Sequence, residues 1–131
     1  MERQLSSIER RLAEITKGFF ETKLGLRPQR VNVLEEEGGA LIVIRVAGFM
    51  SKAEAALAGH PEDQKALGEY YTRILERLSP MLRVVVEDVV ERPLLGCRTV
   101  LELSRDECLY LLTLGARERS GSVSIQSTGD E

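Results

Sequence analysis

Apolar residues recur every three or four positions at Leu5, Ile8, Leu12, Ile15 and Phe19, a spacing that lays one stripe along a helix ending before Gly25. Ser6 and Glu9 have the spacing of a capping box, so the helix starts either at the terminus or at Ser6. The stripe resembles a short coiled-coil seam but covers too few heptads to specify one. Packing on the chain's own sheet and packing against the same helix of a second copy are both open. The period then drops to two. Val31 and Val33, and after them Ile42, Ile44 and Val46, alternate with Asn32, Arg45 and their neighbours, which predicts two strands joined across Glu35-Glu36-Glu37-Gly38-Gly39.

Ser51 and Glu54 repeat the capping-box spacing and open a short Ala-rich helix that Gly59 and Pro61 end. Pro61 suits the first position of a further helix, with Glu62 and Asp63 at the positive end of its dipole. Leu67, Tyr71, Ile74, Leu78, Met81, Val85 and Val89 carry that helix to about Glu91. Pro80 predicts a kink in it, or a fresh start with Ser79 as cap.

Leu95, Cys97, Thr99, Leu101 and Leu103 then share one face of a strand, joined through Ser104-Arg105-Asp106-Glu107 to Cys108, Tyr110, Leu112 and Leu114. A turn centred on Arg105-Asp106 places Cys108 opposite Leu103 and Cys97 opposite Leu114, so two reduced core thiols are expected and no bridge. The reverse faces of the two hairpins carry Leu41, Val43, Val100, Leu109 and Leu111. A sheet apolar on both sides needs cover on both sides, from the N-terminal helix or from a partner protomer. The pattern predicts an α+β fold: helix, β-hairpin, short helix plus long kinked helix, β-hairpin, with a four-stranded, largely antiparallel sheet packed by helices. Residues 1–114 form one domain in this reading, and 115–131, rich in Gly, Ser and charge, a flexible polar tail.

Composition adds exclusions. With 131 residues, 43% apolar and no Trp, the chain has the make-up of an ordinary globular domain with an aliphatic core. A net charge of −3 argues against nucleic acid as a partner. Residues 1–30 hold seven basic side chains against four acidic ones, but these spread around a helix as a solvated face. The charged start Met1-Glu2-Arg3 has no apolar signal region, and the longest apolar runs fall far short of the roughly 20 residues of a membrane-crossing helix. A cytoplasmic protein without membrane insertion is expected.

No catalytic, metal or cofactor site is read from the residues. His60, the single histidine, lies between Gly59 and Pro61 as a loop or cap residue and cannot alone build a triad or a zinc site. Cys97 and Cys108 lack a metal-binding spacing, and neither common nucleotide fingerprint occurs. Glu35, Glu36 and Glu37 read as a solvated turn, and Glu87 with Glu91 as an exposed acidic face. Arg27, Arg30 and Arg98 are candidates for holding a small anion, although basic residues after a helix also simply complement its dipole.

The block Gly25-Leu26-Arg27-Pro28-Gln29-Arg30-Val31, the glycine-bent hairpin, the helix start at Met50-Ser51-Lys52-Ala53-Glu54, and Pro80 and Glu87 in the long helix resemble the MpsC-like domain family over roughly Arg11 to Leu114. That family takes its name from one component of a sodium-translocating membrane-potential-generating system. Ser51 stands for its Thr and Lys52 for its Pro, and Arg98-Thr99-Val100 replaces the small polar stretch with His and Asp of its last hairpin. The resemblance implies a small non-enzymatic accessory protein linked to sodium- or bicarbonate-dependent uptake, with a membrane-transport protein as a candidate partner. The expectation is a homo-dimer or higher homo-oligomer, joined through the doubly apolar sheet or the N-terminal stripe. A module sensing a small anion or metabolite is the alternative.

Overall fold

The computed structural model describes residues 6–36 and 38–116. The tail predicted over 115–131 therefore lies outside the described residues from 117 onward, as does Leu5. The order of elements is α1 (Ser7–Phe19), a π-helical turn (Phe20–Leu24), β1 (Arg30–Glu35), β2 (Leu41–Ala47), α2 (Lys52–Leu57), α3 (Pro61–Val90), β3 (Leu94–Glu102), a 3-10 turn (Leu103–Arg105) and β4 (Glu107–Leu114). The four strands form one sheet in the order β1-β2-β4-β3, antiparallel throughout, so each hairpin contributes one central strand. The α+β class read from the pattern holds, with the helices packed on the sheet.

Local chemistry sets where the elements begin and end. Ser6 caps α1: its hydroxyl accepts from the Glu9 N–H at 3.0 Å, while the Glu9 carboxylate accepts from Ser6 N–H at 2.9 Å. The same carboxylate accepts the Glu35 N–H at 2.8 Å, which fastens the buried start of α1 to the end of β1. Gly25 ends the π turn at φ 67°, a left-handed conformation that favours glycine. The Ser51–Glu54 box opens α2 in the same way as Ser6–Glu9 opens α1. Pro61 stands at the first position of α3, and Glu91 closes that helix in the left-handed region. The helix is continuous through Pro80, so no fresh start occurs at Ser79.

Both long helices cover the same side of the sheet. Leu12, Phe19 and Phe20 from the N-terminal helix and Tyr71, Leu75, Leu82 and Val86 from α3 bury against Val33, Ile42, Ile44, Val46, Cys108, Tyr110 and Leu112. Edge-to-face rings tie the layers together: Phe20 meets Tyr110 at 6.5 Å and Phe49 at 6.1 Å, and Phe49 meets Tyr71 at 5.3 Å. The N-terminal helix therefore does not cover the reverse face, which was one of the two options the sequence left open.

Three expectations shift in detail. The second hairpin pairs Cys97 with Leu112 and Leu101 with Cys108, two residues away from the predicted register. Its connection is a 3-10 turn followed by Asp106 at φ 53°, and this consumes Leu103 as a buried turn residue instead of a strand residue. An even shift keeps every side chain on its predicted face, so both cysteines are still free and do not oppose each other. Leu95 does not face inward. A bulge between Leu94 and Gly96 turns Leu94 into the core and leaves Leu95 67% exposed. On α3 the buried stripe is Tyr71, Leu75, Leu82, Val86, Val89 and Val90, while Met81 is exposed and Leu67, Ile74, Leu78 and Val85 are half-buried. The helix is apolar over more than one stripe, and the docking of Tyr71 selects between them.

Candidate interaction surface

Strand alternation that sends Val33, Ile42, Ile44, Tyr110 and Leu112 into the core sends their neighbours to the other side. The register arranges those neighbours in rows across all four strands. Leu34, Val43, Leu111 and Arg98 form one row, and Asn32, Arg45, Leu109 and Val100 the next. Arg30, Ala47, Glu107 and Glu102 form the row beyond. The centre is aliphatic: Val43, Leu109, Leu111 and Val100 are half-buried by one another, and Leu34 at the β1 edge is 54% exposed. No described element lies over this face. A contiguous apolar surface rimmed by charge is the pattern of a contact site.

One ion pair is built into it. The Arg45 guanidinium donates to the Glu107 carboxylate from Nε at 3.0 Å and also from Nη2, bridging β2 and β4. The hydrogen bonds and then the charge of the partner raise the Arg45 pKa, and the Arg45 bond holds the Glu107 carboxyl below its usual range. The carboxylate is the better covered partner, its side chain 14% exposed against 39% for Arg45.

The residues singled out in the sequence do not converge elsewhere. His60 is the exposed N-cap of α3, without a side-chain hydrogen bond to the helix. Arg27 lines an open hollow with Lys17, Glu21, Gly25 and Pro28, whereas Arg30 and Arg98 stand at opposite corners of the outer sheet face. The three arginines are thus not gathered into one anion site. Glu87 is half-buried, not part of the exposed acidic face expected with Glu91: it accepts the Leu94 N–H at 2.8 Å and, together with Arg83 on the Leu94 carbonyl, anchors the β3 bulge. Glu35 and Glu36 stand at the hairpin turn, and Glu37 lies outside the described residues.

Burial pushes the Cys108 thiol up to about 12, and burial also raises Cys97, against the opposing effects of Ser79 and Arg83. Among the described residues no group of three or more His, Cys, Asp or Glu is placed to hold a metal ion, and no helix is long and apolar enough to cross a membrane. A groove of about 860 Å³ opens between α3 and the β3–β4 turn, lined by charges of both signs, Lys65 and Arg73 with Glu69, Glu76 and Glu102.

Two structural anchors had no sequence signal of their own. Arg92 donates to the Gly39 carbonyl at 2.5 Å and to the Gly115 carbonyl at 2.8 Å, tying the first hairpin's turn to the end of β4. Asp106 accepts the N–H groups of Phe49 and Met50, both at 3.1 Å, holding the approach to α2. Burial outweighs those bonds and leaves the Asp106 pKa raised.

Residues 4–115, which span every strand and helix, match the family described as Na+-translocating membrane potential-generating system (MpsC). The chain belongs to the MpsC family. No curated protein and no solved structure matches it. The positions that carry the MpsC resemblance have structural work: Gly25 is the left-handed helix end, Pro28 is buried, Ser51 and Glu54 form the cap, and Glu87 holds the bulge. The MpsC signature in this chain is therefore a signature of turns, caps and anchors, and the aliphatic outer face is the feature it leaves unaccounted for.

Proposed function

We propose that this MpsC-family chain is a non-enzymatic accessory protein of a Na+-linked membrane-potential-generating system, acting from the cytoplasm by self-association and contact with the system's other proteins. The observation that carries the reading is the outer sheet face: aliphatic, four strands wide, and covered by none of the described helices. The carboxylates support it too. Glu9, Glu54, Glu87 and Asp106 each accept backbone N–H groups, and Glu107 is held by Arg45, so these acids have structural duties. Light scattering during size-exclusion chromatography tests the core of the proposal. A dimer or higher oligomer at micromolar concentration is expected, and a monomer throughout that range overturns it. A link to bicarbonate uptake is part of the proposal, tested by uptake of labelled bicarbonate in cells with and without the gene; equal uptake removes that part.

A further inference from the structure

Resting on that self-association, we infer that the occupant of the outer face is a second copy of this chain, packed sheet on sheet about a two-fold axis parallel to the strands between β2 and β4. Sheets that pack face to face prefer nearly aligned strands about 10 Å apart, which this axis provides. It lays β1 over the second copy's β3 and β2 over its β4. Val43 then meets Leu111 of the second copy, and the Arg45 stem lies on Leu109, so the aliphatic centre closes on itself. At the corners, Arg30 on β1 faces Glu102 on β3, twice per dimer. Both side chains are exposed in the single chain, and by register they end the same row.

The alternative axis, perpendicular to the strands, fits worse. Run through the Arg45 row, it would pair Glu102 with Arg98 at one corner but stack Arg45 on its own symmetry mate, placing like charges at the centre; the parallel axis avoids that stack and sets Arg98 over Leu34 and Glu107 over Ala47 at its periphery. Footprint decides the strength. Four strands about 4.8 Å apart and seven residues long at about 3.3 Å each cover roughly 400 to 450 Å² per copy. Two copies together bury somewhat less than the roughly 1,000 Å² that a stable specific interface clears, so the contact is a weak and transient one.

The test is a charge-exchange cycle read by sedimentation equilibrium, with circular dichroism as the control for folding. Arg30→Glu and Glu102→Arg each place two like-charge contacts in the dimer and are expected to weaken association by roughly tenfold. The double variant restores the pairs with signs reversed and is expected to return to within about threefold of the parent. Leu111→Asp, at the centre, is expected to leave a folded monomer. If the parent dimerises and Leu111→Asp does not weaken it, the sheet face is not the interface, and the proposal fails while self-association stands. If Leu111→Asp acts but the double charge variant is no better than the singles, the axis is wrong and the proposed pairing is overturned. A parent that is monomeric at all accessible concentrations assigns the face to a different protein or a lipid surface, and overturns both readings.

Discussion

Ile44 and Val43 are adjacent in β2 and differ by a single methylene, yet the sheet assigns them opposite surroundings. Ile44 pairs with Tyr110 beneath two helices and is fully buried, whereas Val43 pairs with Leu34 and Leu111 on a face that only its own neighbours shield. The inner face is finished by aromatic edges and by polar groups with partners, such as Tyr71 donating to Glu54 at 2.7 Å. The outer face is also aliphatic at its centre, but its polar component is the ion pair across the central strands, Asn32 beside it, and Arg30, Arg98 and Glu102 at the periphery. Hydrophobicity alone therefore does not define this core. What separates the two sides is that α1 and α3 both return to one of them.

Chemical reactivity should expose that contrast most strongly. Cys108 belongs to the inner face, and its thiol, raised to about 12 by burial, should react with a disulfide reagent near pH 8 at least about tenfold more slowly than an unfolded thiol. A Val43→Cys thiol in a Cys97→Ser background should react first by a wide margin at dilution. Equal rates would mean that the two faces are equally covered. Stability gives the next contrast: Ile44→Ala should cost about 2 to 5 kcal/mol in urea unfolding, and Val43→Ala, at concentrations where the chain is monomeric, less than about 1 kcal/mol. Tyr71→Phe should cost about 1 to 2 kcal/mol by removing the hydroxyl that meets Glu54, without loosening the rings.

The smallest effect is the pH response of the outer ion pair. Because the folded-state Glu107 pKa is lowered from 4.5, its contribution is present above that value and is lost as pH falls through the lowered pKa. Glu107→Gln should remove this part of the acid sensitivity measured by thermal melts. Asp106 has the opposite sign: with its folded pKa raised, ionisation above the ordinary aspartate range works against the fold, and the bias toward folding grows as pH falls.

Elements whose signals are local were legible. Ser6 with Glu9 and Ser51 with Glu54 satisfy each other within one turn, so the two helix starts follow from spacing alone. Strand faces were legible for the same reason, since alternation survives an even slip in register. The register itself was not. It depends on Asp106 adopting a left-handed conformation and on Leu103 being drawn into the turn, and both are decided by the loop that Asp106 holds at Phe49 and Met50. The buried stripe of α3 depended on Tyr71 finding Glu54 and Phe49, and the outward turn of Leu95 on Glu87 and Arg83 gripping Leu94. Of the candidate surface, the apolar residues were visible in the pattern. Its lack of cover was not, because α1 could have gone to either side.

The strand order also constrains how the molecule comes into being. Each hairpin closes between near neighbours, but the central seam of β2 against β4 waits until the 30-residue α3 and the second hairpin have been made. A nascent chain must therefore carry the first hairpin with an open β2 edge while more than half of the protein is still to be synthesised. Refolding should be limited by joining the seam, and substitutions at Ile44 or Tyr110 should slow assembly more than those at the helix caps.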